Sequence, residues 1–206
     1  MAQDTKRRKV LAVLAGGLVL GVGAAVTLAA WNDSEFATGE FAAGSFNLEG
    51  ATDGAAGTYA DHNVDEGDAA ATLDFTLPVA DNMSPGDVAY APFWVRLDAT
   101  TTSPATLAAT AATATGANAA NLAYTVHAIE PAATCDATAA DTGVLVASGA
   151  SLTAFEAGAT VALAEGAAGT AGVPEQLCFT VTAGEDLVEG ESATATWSFT
   201  ATSISE

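Results

Sequence analysis

The sequence predicts an all-β protein: an antiparallel β-sandwich preceded by an N-terminal signal-peptide helix. Three observations predict it. Several short runs alternate apolar with small or polar residues at a period of two. Turn-rich segments such as "SPGD" and "TAGEDLVEGES" separate these runs, with little helix-period sequence between them. All but one of the basic residues fall in the first nine positions, just ahead of a long apolar stretch.

Lys6, Arg7, Arg8 and Lys9 form a basic cluster, and residues 10–28 then run without a charge, rich in Leu, Val, Ala and Gly. That is the layout of a secretory signal, closed by the small residues Ala29 and Ala30. Cleavage between Ala30 and Trp31 is expected, with Leu28 departing from the usual A-x-A pattern. An uncleaved anchor is the alternative, because roughly 19 apolar residues at ~1.5 Å each approach the ~30 Å hydrocarbon core. The expected organisation is therefore a signal peptide over 1–30 and one β-sandwich domain over 31–206.

Beyond residue 30 the chain keeps only Arg96 against 24 acidic residues, a formal charge of −23. Such a surface repels nucleic acid and anionic lipid headgroups, which need Lys and Arg to neutralise phosphate. Nucleic-acid binding is excluded, and the membrane is expected to be met only through the signal segment. The charge favours solubility, cation binding and tolerance of salt.

Residues 31–50 read in fives as WNDSE, FATGE, FAAGS and FNLEG, so that Trp31, Phe36, Phe41 and Phe46 recur at every fifth position. An odd spacing sends successive aromatics of a strand to opposite faces and gives a helix no single apolar stripe. The segment buries its rings best when extended and either bent at its glycines or covered on both sides.

In "DHNVDEGD", Asp61, Asn63 and Asp65 occupy the first, third and fifth positions of a calcium-loop pattern. Gly67 then falls one place late, and Thr72 stands where a bidentate Glu belongs. A weak calcium site and a simple acidic turn are both open readings. No other cofactor is indicated.

The clearest strand is "ATLDFTLPV", with Ala71, Leu73, Phe75, Leu77 and Val79 on one face. "SATATWSFTATS" reads the same way, placing Ala193, Ala195, Trp197, Phe199 and Ala201 inward. Further strands are expected in "VAYAPFWVRLDA", "NLAYTVHAIE", "GVLVAS", "ATVAL" and "QLCFTVT", seven to nine in all. The Ala/Thr tract over 99–120 is read as a strand end followed by a loop, with one short helical stretch; its Thr density and Gly116 argue against a long helix.

Cys135 and Cys178 are the two cysteines, with no CxxC or Cys/His cluster. Outside the membrane an isolated pair is most simply a disulfide, and two buried thiols are the alternative. Catalytic constellations are missing. His62 and His127 are the only histidines, and there is neither an HExxH pair nor a GxSxG elbow. The carboxylates are scattered, so a noncatalytic protein is expected.

Three stretches resemble the TasA/camelysin family, whose members are exported through a SipW-type signal peptidase and form biofilm matrix fibres of Gram-positive bacteria. The first is the junction of Thr27, Ala29, Ala30, Trp31, Asn32 and Asp33, followed by "FAAGSFNLE"; the second is "NMSPGDVAYAPFWVRLDATT", with its Pro85, Gly86 and Asp87 turn; the third is "GESATATWSFTATS". The resemblance implies a jelly-roll-like sandwich located in the matrix or on the cell surface. It also implies self-assembly into a homopolymer, in which the N-terminal segment of one subunit completes the sheet of the next. Residues 31–48 would then be the donor strand, anchored by Trp31, Phe36, Phe41, Phe46 and Leu48. Two other functions remain open: a monomeric secreted or anchored adhesion or binding module, and a camelysin-like metalloprotease. The Ala/Thr-rich middle, the near-absence of Lys and the cysteine pair depart from the family pattern.

Overall fold

The computed structural model describes residues 2–26, 38, 44–75 and 82–204. The chain falls into two compact units, Met1–Ala42 and Ala43–Glu206. The first contains helix α1, Ala2–Val26, with Asp4 in its first turn, where a negative charge suits the helix dipole. Among the described residues no helix is long and apolar enough to cross a membrane. The expected cleavage pair, Ala30 and Trp31, lies outside the described residues.

The second unit is built almost entirely of β-strands: β1 Leu48–Ala51, β2 Val88–Leu97, β3 Ala105–Thr115, β4 Leu122–Ile129, β5 Val144–Gly149, β6 Glu156–Ala157, β7 Val161–Leu163, β8 Glu175–Ala183 and β9 Thr194–Ser203. One short helix, α2 (Ala137–Thr142), precedes β5. The strands form two antiparallel sheets, one ordered β1-β2-β8-β4-β5-β6 and the other β7-β3-β9.

In the larger sheet, β8 lies between β2 and β4 in continuous register, with Phe179 opposite both Ala91 and Val126. Period-two alternation sends Leu177, Phe179, Val181 and Ala183 to the inner face, and Gln176, Cys178, Thr180 and Thr182 to the outer one. Pro92 is tolerated inside β2 because β1 covers that strand only from Trp94 to Leu97, leaving Pro92 with β8 alone beside it. The turn before β2 forms as the sequence predicts. Ser84 N donates to Asp87 Oδ2 at 2.7 Å, Asp87 N donates to Ser84 O at 2.9 Å, and Gly86 takes φ +88°, a left-handed conformation that favours glycine.

The Ala/Thr tract differs from expectation. It begins with a short loop between Leu97 and Ala105, as expected, but then holds β3, the longest strand at 11 residues, where the loop was expected to continue. Alanine content disguised a period-two pattern in which Ala105, Leu107 and Ala109 are buried. After Ala109 the register shifts by one: Thr110 is the extra residue of a β-bulge, and its Oγ1 donates to Ser198 O at 3.2 Å. Beyond the bulge Ala112 and Ala114 again pack against the core. Gly116 ends the strand at φ +100°, where an added Cβ would meet Ser192 O at 2.2 Å. The helical stretch foreseen in this tract is a single 3-10 turn, Ala117–Ala120.

Inner-face side chains of both sheets meet in one buried cluster that includes Leu97, Leu107, Val126, Leu163, Leu177 and Phe179. The β9 alternation is as predicted, with Ala193, Ala195, Trp197, Phe199 and Ala201 half-buried against that cluster and the intervening Ser and Thr exposed. The strand expected over 71–79 is not formed by residues 71–75, and its remainder lies outside the described residues. Leu73 and Phe75 do pack on the core, so the side-chain period is realised without a ladder partner.

Candidate functional site

Three strands in one sheet cannot cover the inner face of six in the other, and a cavity of about 1090 Å³ lies between them. Its lining includes every residue from 193 to 201 and every residue from 46 to 50. Side chains of one face would contribute only alternate residues, so the cavity follows the two strands along their edges. Among the described residues the β9 edge is open, whereas β1 is half-covered, with Gly50 N and O bonded to Ala60 at 2.9 and 3.0 Å. Among the described residues β9 pairs only with β3, and β1 pairs with β2, its other side meeting only the single bridge between Gly50 and Ala60. Phe93, Val95, Leu122, Phe179 and Val181 also line the cavity. The result is a slot roughly 26 Å long along β9, lined by these apolar side chains and also by the acidic Glu49, Asp61, Asp65 and Glu66.

Aromatic rings cluster around Trp197, and of these Phe179 and Phe75 also line the slot. Phe179 lies 5.0 Å from the Trp197 ring between centroids, Tyr124 5.5 Å and Phe75 6.5 Å. Burial raises the Tyr124 hydroxyl above its ordinary pKa, and that hydroxyl donates to Ala154 O at 3.0 Å.

The expected donor segment divides. Trp31, Phe36 and Phe41 lie outside the described residues. Phe46 is exposed at 40%, and Leu48 opens β1 opposite Leu97. The start of β1 is tied to its own domain by the loop that follows β2. Asp98 Oδ1 accepts from Thr101 N at 2.9 Å and from Thr101 Oγ1 at 2.8 Å, Thr101 Oγ1 in turn accepts from Asn47 N at 2.9 Å, and Asp98 N donates to Asn47 O at 3.1 Å. Ser45 Oγ donates to Thr100 O beside this knot. Burial would push the Asp98 carboxyl up, but hydrogen bonds from Thr101 and Thr100 outweigh it and hold the group below its ordinary value. Sequence reasoning missed this knot, although an Asp followed by two Thr just beyond a strand is a recognisable local hydrogen-bonding signal.

Arg96 sits next to the slot, its guanidinium carbon 3.7 Å from the Tyr59 ring centroid and its Nε donating to Glu49 Oε1 at 2.6 Å. The pair joins β2 to β1 across the register Glu49↔Arg96. Burial raises the Tyr59 pKa, with Arg96 opposing.

Of the expected calcium ligands Asp61, Asn63 and Asp65, two have an oxygen already engaged by the protein. Asp61 Oδ1 accepts from Asn47 Nδ2 at 2.8 Å, and Asn63 Oδ1 accepts from Asp65 N at 3.2 Å, capping the 3-10 turn Val64–Glu66. Gly67 closes that turn at φ +104°. Among the described residues no group of three His, Cys, Asp or Glu side chains could hold a metal ion.

Cys135 and Cys178 form a disulfide on the outer face of the larger sheet, with Cα atoms 5.3 Å apart. It fixes the loop leading to α2, where Ile129, Ala140 and both cysteines make a second small core. The same loop is held by Trp94, whose Nε1 donates to Pro131 O at 2.9 Å. His127 is opposite Cys178; burial pushes its pKa down and Asp141 pulls partly back.

No protein-family model matches the chain, and no curated protein matches it.

Proposed function

We propose that this chain is an exported, noncatalytic structural protein of the cell surface or biofilm matrix, a jelly-roll-like β-sandwich that assembles into fibres by strand exchange. In this reading a SipW-type signal peptidase cuts between Ala30 and Trp31, and the freed segment of one copy enters the slot of the next. The observation that carries it is the β9 edge, open among the described residues, beside a cavity whose lining includes Phe93, Val95, Phe179 and Val181. An added strand would satisfy the backbone of β9 while its alternate side chains fill the cavity. Phe36 and Phe41 are the anchors of that strand, with Trp31 at its start. Phe46 and Leu48 remain with their own domain, so the donor of the resemblance shortens at its C-terminal end. The resemblance to TasA-like sequences at the junction, the Pro-Gly-Asp turn and the last strand supports the same reading.

A charge of −23 keeps copies apart at low ionic strength and is screened at high salt. The test is negative-stain electron microscopy of the chain beginning at Trp31, in low and high salt, beside the variant Phe36→Asp/Phe41→Asp. Fibres in high salt that the variant fails to form are expected. Single particles under every condition would refute the reading.

The second reading is a monomeric adhesion or binding module. The Asp98–Thr101–Asn47 knot favours it, because it secures the base of the N-terminal segment to its own domain. It predicts one fixed mass at all concentrations and salts.

A further inference from the structure

Residues 71–75 cross the slot in an unusual state. Ala71, Leu73 and Phe75 are half-buried while Thr72 and Asp74 are exposed, the period of a half-buried strand. Leu73 and Phe75 pack on the shared core, and the Phe75 ring lies against Trp197 of β9. Yet among the described residues the backbone of 71–75 forms no hydrogen bond, and β9 beside it keeps an open edge. Side chains are docked; two sets of strand hydrogen-bonding groups near the same cavity are not joined.

We propose that residues 71–75 are a stand-in strand, which occupies the slot in the single chain and must be displaced before a strand from a second copy can pair with β9. The inference rests on the strand-exchange reading and adds its regulation. An incoming strand offers apolar side chains and a backbone ladder together, whereas the stand-in offers side chains alone. The stand-in keeps Trp197 and Phe179 covered until a partner arrives, which limits indiscriminate pairing at an open edge. It also taxes the incoming strand, because apparent affinity falls with the fraction of slots left free.

The test uses the chain beginning at Trp31, its variant Leu73→Ser/Phe75→Ser, and a synthetic peptide of residues 31–43 as probe. Peptide affinity is read by fluorescence anisotropy and polymerisation by light scattering. A slot occupied about nine-tenths of the time weakens binding about tenfold, so the variant is expected to bind the peptide about tenfold tighter and to polymerise with a shorter lag. Equal or weaker binding by a folded variant would overturn the proposal. If circular dichroism shows the double variant unfolded, Phe75→Leu, which retains a smaller docked side chain, carries the same comparison with a smaller gain. Tighter peptide binding by the variant without polymers from either protein would sink the fibre reading and keep the stand-in. Polymers from both at one rate, with equal peptide affinity, would do the reverse, and a peptide that binds neither protein overturns the stand-in.

Discussion

Phe179 meets Trp197 at 5.0 Å between ring centroids, with the planes inclined at 58°, so one aromatic contact joins the middle of the larger sheet to β9. Phe199 adds an edge-on contact to the same ring at 5.9 Å. Phe179 is 2% exposed. Phe179→Ala would leave a cavity under both partners and is expected to cost about 3–5 kcal/mol. Urea denaturation followed by Trp fluorescence checks this, and a loss below about 1 kcal/mol would show that the two sheets do not depend on this contact.

The disulfide closes a separation of 43 residues, which in the chain-entropy model stabilises the fold by about 4 kcal/mol. Replacing both cysteines with serine should lower stability by an amount of that order. The loss should be accompanied by faster hydrogen exchange in α2, whose small core contains both sulfurs. Unchanged exchange in α2 would mean that Trp94 holds the loop without the bond.

Asp98 has a depressed carboxyl pKa in the folded state, so its contribution is present above the unfolded value near ~3.9 and is lost as pH falls through the folded value. Asp98→Asn should therefore be less stable than the native chain at pH 7, and the difference should vanish in strong acid. Denaturant titrations at pH 7 and pH 2 measure both. The same substitution should loosen Asn47, seen as increased amide exchange at the start of β1.

His127 is also depressed, but as a base its sign is opposite in charge: the folded state favours the neutral ring. The unfolded chain binds the extra proton as pH drops below ~6.5, so His127 stability is present above that value and declines toward the folded pKa. His127→Gln should flatten the stability profile as pH falls below about 6.5, as read by thermal melts across that range. An unaltered slope would assign it to other groups.

The alternation of β9 and β2 was legible in the sequence because each strand has one buried face and turn residues at its ends. The Ala/Thr tract was not, since alanine fits either face and β3 declares itself only through Leu107 and the bulge at Thr110. The 71–75 run had the pattern of a strand without its partner, and backbone pairing is a tertiary fact that side-chain period does not carry. The cysteine pairing followed from there being only two. The slot itself was hidden, because it arises from the unequal widths of the two sheets, which depend on strand order. The donor reading of Phe46 and Leu48 assigned them to a neighbour, whereas the Asp98 knot binds their base at home.

Beyond Lys9, the one bond that a protease specific for basic residues could attack is Arg96–Leu97. Arg96 lies in β2, its side chain stacked on Tyr59, and Leu97 is completely buried. Once the first nine residues are gone, the domain must open before trypsin-like enzymes can cut it at all. It also carries no lysine amine for acylating or crosslinking reagents. Towards enzymes of that one specificity, the resistance of the domain is written into the placement of a single arginine.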